Sequence, residues 1–155
     1  MINMNHSRFS LAETQLKTAI MLFITNGDRL SVITLAGAAD VILCELVKRK
    51  GKPTFTETLK KSDNEAVDVS LQHYGRDVNN LFSINKLKHF DEGDSEFITL
   101  DEEESALGAI LKAIPNYIEL AGREAYLVSV FLNWIRQNLD PKVYNIYCDP
   151  NWSPE

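Results

Sequence analysis

Apolar residues recur at helical spacing along most of this chain, and polar or glycine-bearing breaks divide them into a few segments. In the first, Leu16, Ala19, Ile20, Phe23 and Ile24 fall on one face, the recurrence that marks an amphipathic helix. Ser10 or a neighbour caps its start, and Asn26-Gly27 stops it. Asp28 then caps a longer helix from Arg29 to Lys50, whose stripe of Leu30, Ile33, Ala36, Gly37, Asp40, Leu43 and Val47 ends at Gly51. Ala36-Gly37-Ala38-Ala39 lacks bulk on every side, so another helix can approach closely there. One short break between the two segments predicts an antiparallel pair.

Lys52-Pro53-Thr54 interrupts the pattern, and the polar run to Asn64 predicts a loop with at most a short helix, anchored by Phe55 and Leu59. Two amphipathic segments follow, Glu65 to Tyr74, ending near Gly75, and Asp77 to Phe90, carrying Val78, Leu81, Phe82 and Leu87. Asp91 to Glu96 reads as an acidic turn, and Phe97 to Leu100 as a brief extended piece. Thr99 with Glu102 matches a capping box. The helix it opens carries Leu107, Ile110, Leu111, Ile114, Ile118 and Ala121, with a kink or fresh start at Pro115. Gly122 marks a boundary, and the last helix runs from Arg123 to Leu139 before Asp140-Pro141.

These segments add up to a single all-α domain over residues 1–155, an up-and-down bundle of about four to six helices. Residues 140–155 form a C-terminal aromatic tail with Tyr144, Tyr147 and Trp152, expected to pack on the domain or on a protein partner. Repeats, a glycine-rich phosphate loop and strand–helix alternation do not occur, which sets solenoids and nucleotide-binding α/β folds aside.

Composition refines this picture in three places. A chain of 155 residues buries roughly 70% of its unfolded surface, so a core of ordinary size is expected. The 16 basic and 22 acidic side chains give a net charge of −6, which repels a polyanion unless the cations gather on one surface. The strongly apolar run Ile20 to Ile24 is far too short for a bilayer, and the N-terminus lacks a signal-peptide layout, so the expectation is a cytoplasmic protein without membrane association. Cys44 and Cys148 are read as reduced, structural thiols.

Candidate chemistry concentrates in Asn85-Lys86-Leu87-Lys88-His89-Phe90. An amide and an imidazole four positions apart share a helical face and can address one phosphate, with Lys86 and Lys88 supplying positive charge for a substrate. The competing reading makes Asn85 and His89 caps of a helix C-terminus. His6 and His73 lack a partner at ligand spacing, so neither a metal nor a cofactor is implied. The cluster Lys48-Arg49-Lys50-Gly51-Lys52 suits a helix C-terminus, with RNA phosphates as the alternative contact, and Asp101 to Glu104 suits a helix start. Asp40, a carboxylate on an apolar face, calls for a partner such as Arg123, Arg136 or a helix end.

A short all-helical chain with Ile84-Asn85-Lys86-Leu87-Lys88-His89 at the end of a late helix resembles the HEPN family of helical bundles. Active members carry an arginine, usually followed by a polar residue, and a histidine after four to six intervening positions. Asn85 and His89 match the polar position and the histidine; Ile84 stands where the arginine belongs. The resemblance implies a homodimer in which two motifs meet and cleave RNA without a metal ion, Asn85 and His89 being the catalytic pair. Histidine would move the proton and arginine would hold the charge developing on phosphorus, a role isoleucine cannot take and a displaced lysine cannot copy with its single ammonium. The expectation is thus a weak or degenerate metal-independent ribonuclease, or an accessory protein that keeps the fold, the dimer and an RNA or nucleotide ligand. The alternative is a non-catalytic homodimeric interaction module. Family members act beside nucleotidyltransferases or within toxin–antitoxin and defence systems, but no residue here identifies such a partner.

Overall fold

The computed structural model describes residues 3–140. Within them the chain forms α1 (Arg8–Ile24), α2 (Arg29–Arg49), α3 (Phe55–Ser62), a 3₁₀ turn (Asn64–Ala66), α4 (Leu71–Leu81), α5 (Ile84–Lys88), α6 (Glu102–Ala121) and α7 (Tyr126–Asn138). The fold is an all-α bundle, with seven α-helices among the described residues rather than four to six. The aromatic tail with Tyr144, Tyr147 and Trp152, together with Cys148, lies outside the described residues.

Local chemistry explains most boundaries. Ser7, rather than Ser10, caps α1 by accepting from the Ser10 N–H, and Asp28 caps α2 by accepting from the Ser31 N–H. Arg29 clamps the turn between them. Its guanidinium donates to the Phe23 and Gly27 carbonyls, pairs with Glu103 of α6 and lies 4.5 Å over the Phe23 ring. Gly51 ends α2 at φ +69°, a left-handed conformation that suits glycine.

Thr54 and Glu57 form a reciprocal capping box, so the short helix allowed after Pro53 is present as α3 with its own start signal. Other expectations are corrected. α4 runs through Gly75 instead of stopping there, and the chain breaks later, at Ser83 with φ +60°. Asp101, not Thr99, caps α6 by accepting from the Glu104 N–H. α6 is continuous through Pro115. Phe97 to Leu100 forms no strand.

The core sits where α2 packs against both α1 and α6, with Leu16, Ile20, Phe23, Ile33, Leu43, Ile110 and Ile114 buried. α2 reaches a mean hydropathy of 2.0 over 18 residues and so is long and apolar enough to cross a bilayer, which the count of consecutive apolar residues overlooked. Here that apolar surface is matched by two neighbouring helices. α7 closes the bundle with Val128, Phe131 and Ile135, and Trp134 meets Phe23 edge-on at 5.0 Å.

α4 and α5 lie over this frame through two close contacts. A Cβ at Gly108 would fall 2.1 Å from Phe82 Cδ1, and one at Gly37 would fall 2.7 Å from Ile84 Cγ2. The absent side chains admit Phe82 and Ile84, which flank the left-handed Ser83. α4 itself has no buried residue; it packs on α3 and α5, and these flanking contacts tie its C-terminal end to α6 and, through Ile84, to α2.

Candidate functional site

Beneath the α4–α5 layer is a groove of about 770 Å³, lined from α2 by Asp40, Cys44, Glu45 and Lys48, from α4 by Arg76 and Asn79, from α5 by Asn85 and Lys88, and from α6 by Lys112. Four cations, Lys48, Arg76, Lys88 and Lys112, face two carboxylates, Asp40 and Glu45. A chain of net charge −6 therefore gathers an excess of positive charge around one concavity. Glu45 also pairs along its helix with Arg49 at 3.0 Å.

The floor is a polar cluster inside an apolar bundle. Asp40 is 2% exposed and Lys112 6%; the Lys112 ammonium donates to Asp40 Oδ2, and Asn116 Nδ2 donates to Oδ1 at 2.8 Å. The partner of Asp40 is thus a lysine and an amide from α6, not Arg123 or Arg136. Helical spacing puts Lys112 and Asn116 on one face of α6, opposite Asp40 and Cys44 on one face of α2. Asn116 also donates to Cys44 Sγ at 3.3 Å, and its Oδ1 accepts from the Phe55 N–H at 2.9 Å. One amide therefore joins the floor to the start of α3.

Cys44 is set against nucleophilic chemistry. Burial, reinforced by the Asp40 carboxylate, pushes its thiol up to about 12, so it stays protonated near neutral pH.

The expected motif is divided between two concavities. Asn85 is half-buried in the groove and donates to Asn80 Oδ1 at 3.1 Å. His89 is the residue that closes α5: its backbone N–H donates to the Asn85 carbonyl at 3.0 Å, and its own φ of −128° is extended. The imidazole is therefore outside the helix and lines a second concavity of about 650 Å³ with Lys86, Phe90 and Phe97. Lys88 borders both. Ile84, at the position of the family arginine, is 5% exposed and turned toward Gly37.

His73 does have a partner at helical spacing, contrary to the sequence reading: its Nε2 lies 3.5 Å from Asp77 Oδ2 on the exposed face of α4. Of the basic cluster at the end of α2, only Lys48 lines the groove; Lys52 pairs with Glu119 of α6 at 2.8 Å.

Sequence reasoning missed Arg76, because Gly75 was taken as the end of a helix, and Lys112, which follows Leu111 as an ordinary exposed position would. The available signal for Lys112 was Asn116 one turn on, a second polar residue on the same face of a strongly apolar helix.

No family model, curated protein or solved structure matches the chain.

Proposed function

We propose that this chain is a HEPN-like bundle of degenerate type whose α2–α4–α5 groove binds the phosphate of an RNA or nucleotide without cleaving it. The carrying observation is the convergence of Lys48, Arg76 and Lys88 on one groove of an acidic chain, over a floor where Lys112 is paired with Asp40. The three cations come from three different helices, and Asn85 adds a hydrogen-bonding amide. Such a set offers charge-assisted donors to phosphate oxygens.

Hydrolysis fits the arrangement less well. The position expected to bear arginine is occupied by Ile84 turned into the core, and a guanidinium there would be buried rather than presented to a ligand. Asn85 and His89 line different concavities, so one phosphate between them would not meet both. The Cys44 thiol stays neutral and is no substitute nucleophile.

Binding of a labelled mixed-sequence RNA and of a mononucleotide, measured with the full chain at several salt concentrations, tests the reading. Affinity should fall with salt, because released counterions drive phosphate contacts, and Arg76→Glu or Lys88→Glu should each weaken it about tenfold or more. The same RNA incubated in chelator should stay intact with wild type and with His89→Ala. Binding indifferent to both charge reversals would end the proposal, and His89-dependent cleavage would replace it with a nuclease.

A further inference from the structure

On another flank of the bundle, α1, α6 and α7 border an apolar groove of about 520 Å³. No residue lining it belongs to α4 or α5. Phe9, Glu13, Lys17 and Met21, every fourth residue of α1, form one wall, and such a row makes a continuous ridge. Met21 is 46% exposed, and Tyr126 on the α7 side is 81% exposed, so two large side chains of one concavity are left open to water.

Two ring contacts fix the direction of this groove. Phe9 stacks on Tyr117, near the end of α6, at 5.8 Å, and α7 begins just after α6 ends. At the other end of α1, Phe23 meets Trp134, near the end of α7, at 5.0 Å. α7 therefore runs beside α1 in the same direction, and its last residue, Asn138, lies at the Met21 end. Neither the phosphate-binding groove nor the concavity beside His89 has a residue of α7 in its walls.

Residues 141–155, outside the described residues, follow from that end. Asp140-Pro141 is a turn-initiating pair, and a reversal there sends the chain back toward Phe9. The apolar run Val143-Tyr144-Asn145-Ile146-Tyr147-Cys148 reaches about 17 Å when extended at about 3.3 Å per residue. The α1 wall from Phe9 to Met21 is about 18 Å long at about 1.5 Å per residue. Phe9 and Leu120 border both this groove and a smaller hollow of about 410 Å³ that Arg49 and Lys50 also line. Beyond Cys148 the chain carries Trp152 with Asp149 and Glu155, a ring for that hollow and two carboxylates for its cations.

We infer that residues 143–152 occupy this groove within their own chain, antiparallel to α7, with Val143 beside Met21, Cys148 near Phe9 and Trp152 in the hollow beyond. Covalent attachment one turn away gives the segment a high effective concentration, so contacts too weak to hold a free peptide suffice. The surface is separate from the phosphate-binding groove, and failure of either proposal leaves the other standing.

Cys148 is a native probe of the docked segment. In the full chain its alkylation at pH 8, followed by peptide mass spectrometry apart from that of Cys44, should be about tenfold or more slower than in urea. Met21→Asp and Tyr126→Asp, both at exposed positions, should each restore the unfolded rate with circular dichroism unchanged. Val67→Asp, at an exposed position outside the groove, should leave the protection intact. Under mild oxidation, Ala121→Cys at the Phe9 end should form a disulfide with Cys148 inside one chain, and Val67→Cys should not, because the bond requires closely placed backbones. Alkylation of Cys148 as fast in native protein as in urea, protection that survives both groove substitutions, or an Ala121→Cys disulfide that joins two chains would each overturn the inference.

Discussion

Phe82 lies against α6 in the space a side chain at Gly108 would fill, the nearest ring carbon standing 2.1 Å from where a Cβ would be. The contact seats the end of α4 on the central helices. Gly108→Ala should therefore push the ring out, and with it Ser83 and Ile84, costing about 1–3 kcal/mol by overpacking. Urea unfolding measures the loss. Paired with Phe82→Ala, the substitution should cost less than the sum of the two single changes, since both act on one contact.

The pairing of Asp40 with Lys112 makes a second prediction. Asp40→Ala leaves an ammonium buried without its counter-charge and should destabilise the fold by about 3–5 kcal/mol. Asp40→Leu combined with Lys112→Met removes both charges and should recover much of that loss. A double variant no more stable than Asp40→Ala, by the same denaturation measurement, would show that the cluster contributes through something other than charge compensation.

Cys44 predicts a pH dependence whose sign is fixed. Its thiol is raised from the ordinary value of 9.0 to about 12 in the folded chain, so above pH 9 the unfolded chain has shed a proton that the folded chain retains. Stability from this group is complete below about pH 9 and is lost as pH rises toward 12. Cys44→Ala should flatten that part of the profile in thermal melts. Near neutral pH, alkylation of Cys44, followed by peptide mass spectrometry, should be far slower in native than in urea-unfolded protein.

The start of α6 separates two assignments. Asp101 accepts from the Glu104 N–H at 2.9 Å, so Asp101→Ala should cost about 1 kcal/mol, while Thr99→Ala should change stability by only a few tenths. The reverse order in a chemical-denaturation series would restore Thr99 as the cap.

These contacts also explain what could be read beforehand. The stripes of α1, α2, α6 and α7 were legible because each helix buries a face against a neighbour and therefore repeats its apolar residues at helical spacing. The stop at Gly51 and the cap at Asp28 were legible for local reasons. Gly75 was misread because a glycine inside a helix looks like one that ends it, and α4, with no buried residue, offers no stripe to correct the error. The break at Ser83 was hidden in a residue type that rarely takes a left-handed backbone. Asp40 was visible as a carboxylate out of place, whereas the choice of Lys112 over an arginine depends on how α2 and α6 cross, which one-dimensional spacing does not encode. The pattern through Asn85 and His89 assumed a helix that continues, and α5 ends before the imidazole.

Gly37 and Gly108 have no side chain, yet they set the distance between the α4–α5 wall of the groove and its floor. Divergence among descendants of this chain would consequently be freest at the exposed cations of the groove and most restricted at these two positions, where any side chain meets Phe82 or Ile84. A lineage could change the chemistry of the recess while keeping both glycines; losing either would alter the shape of the recess itself.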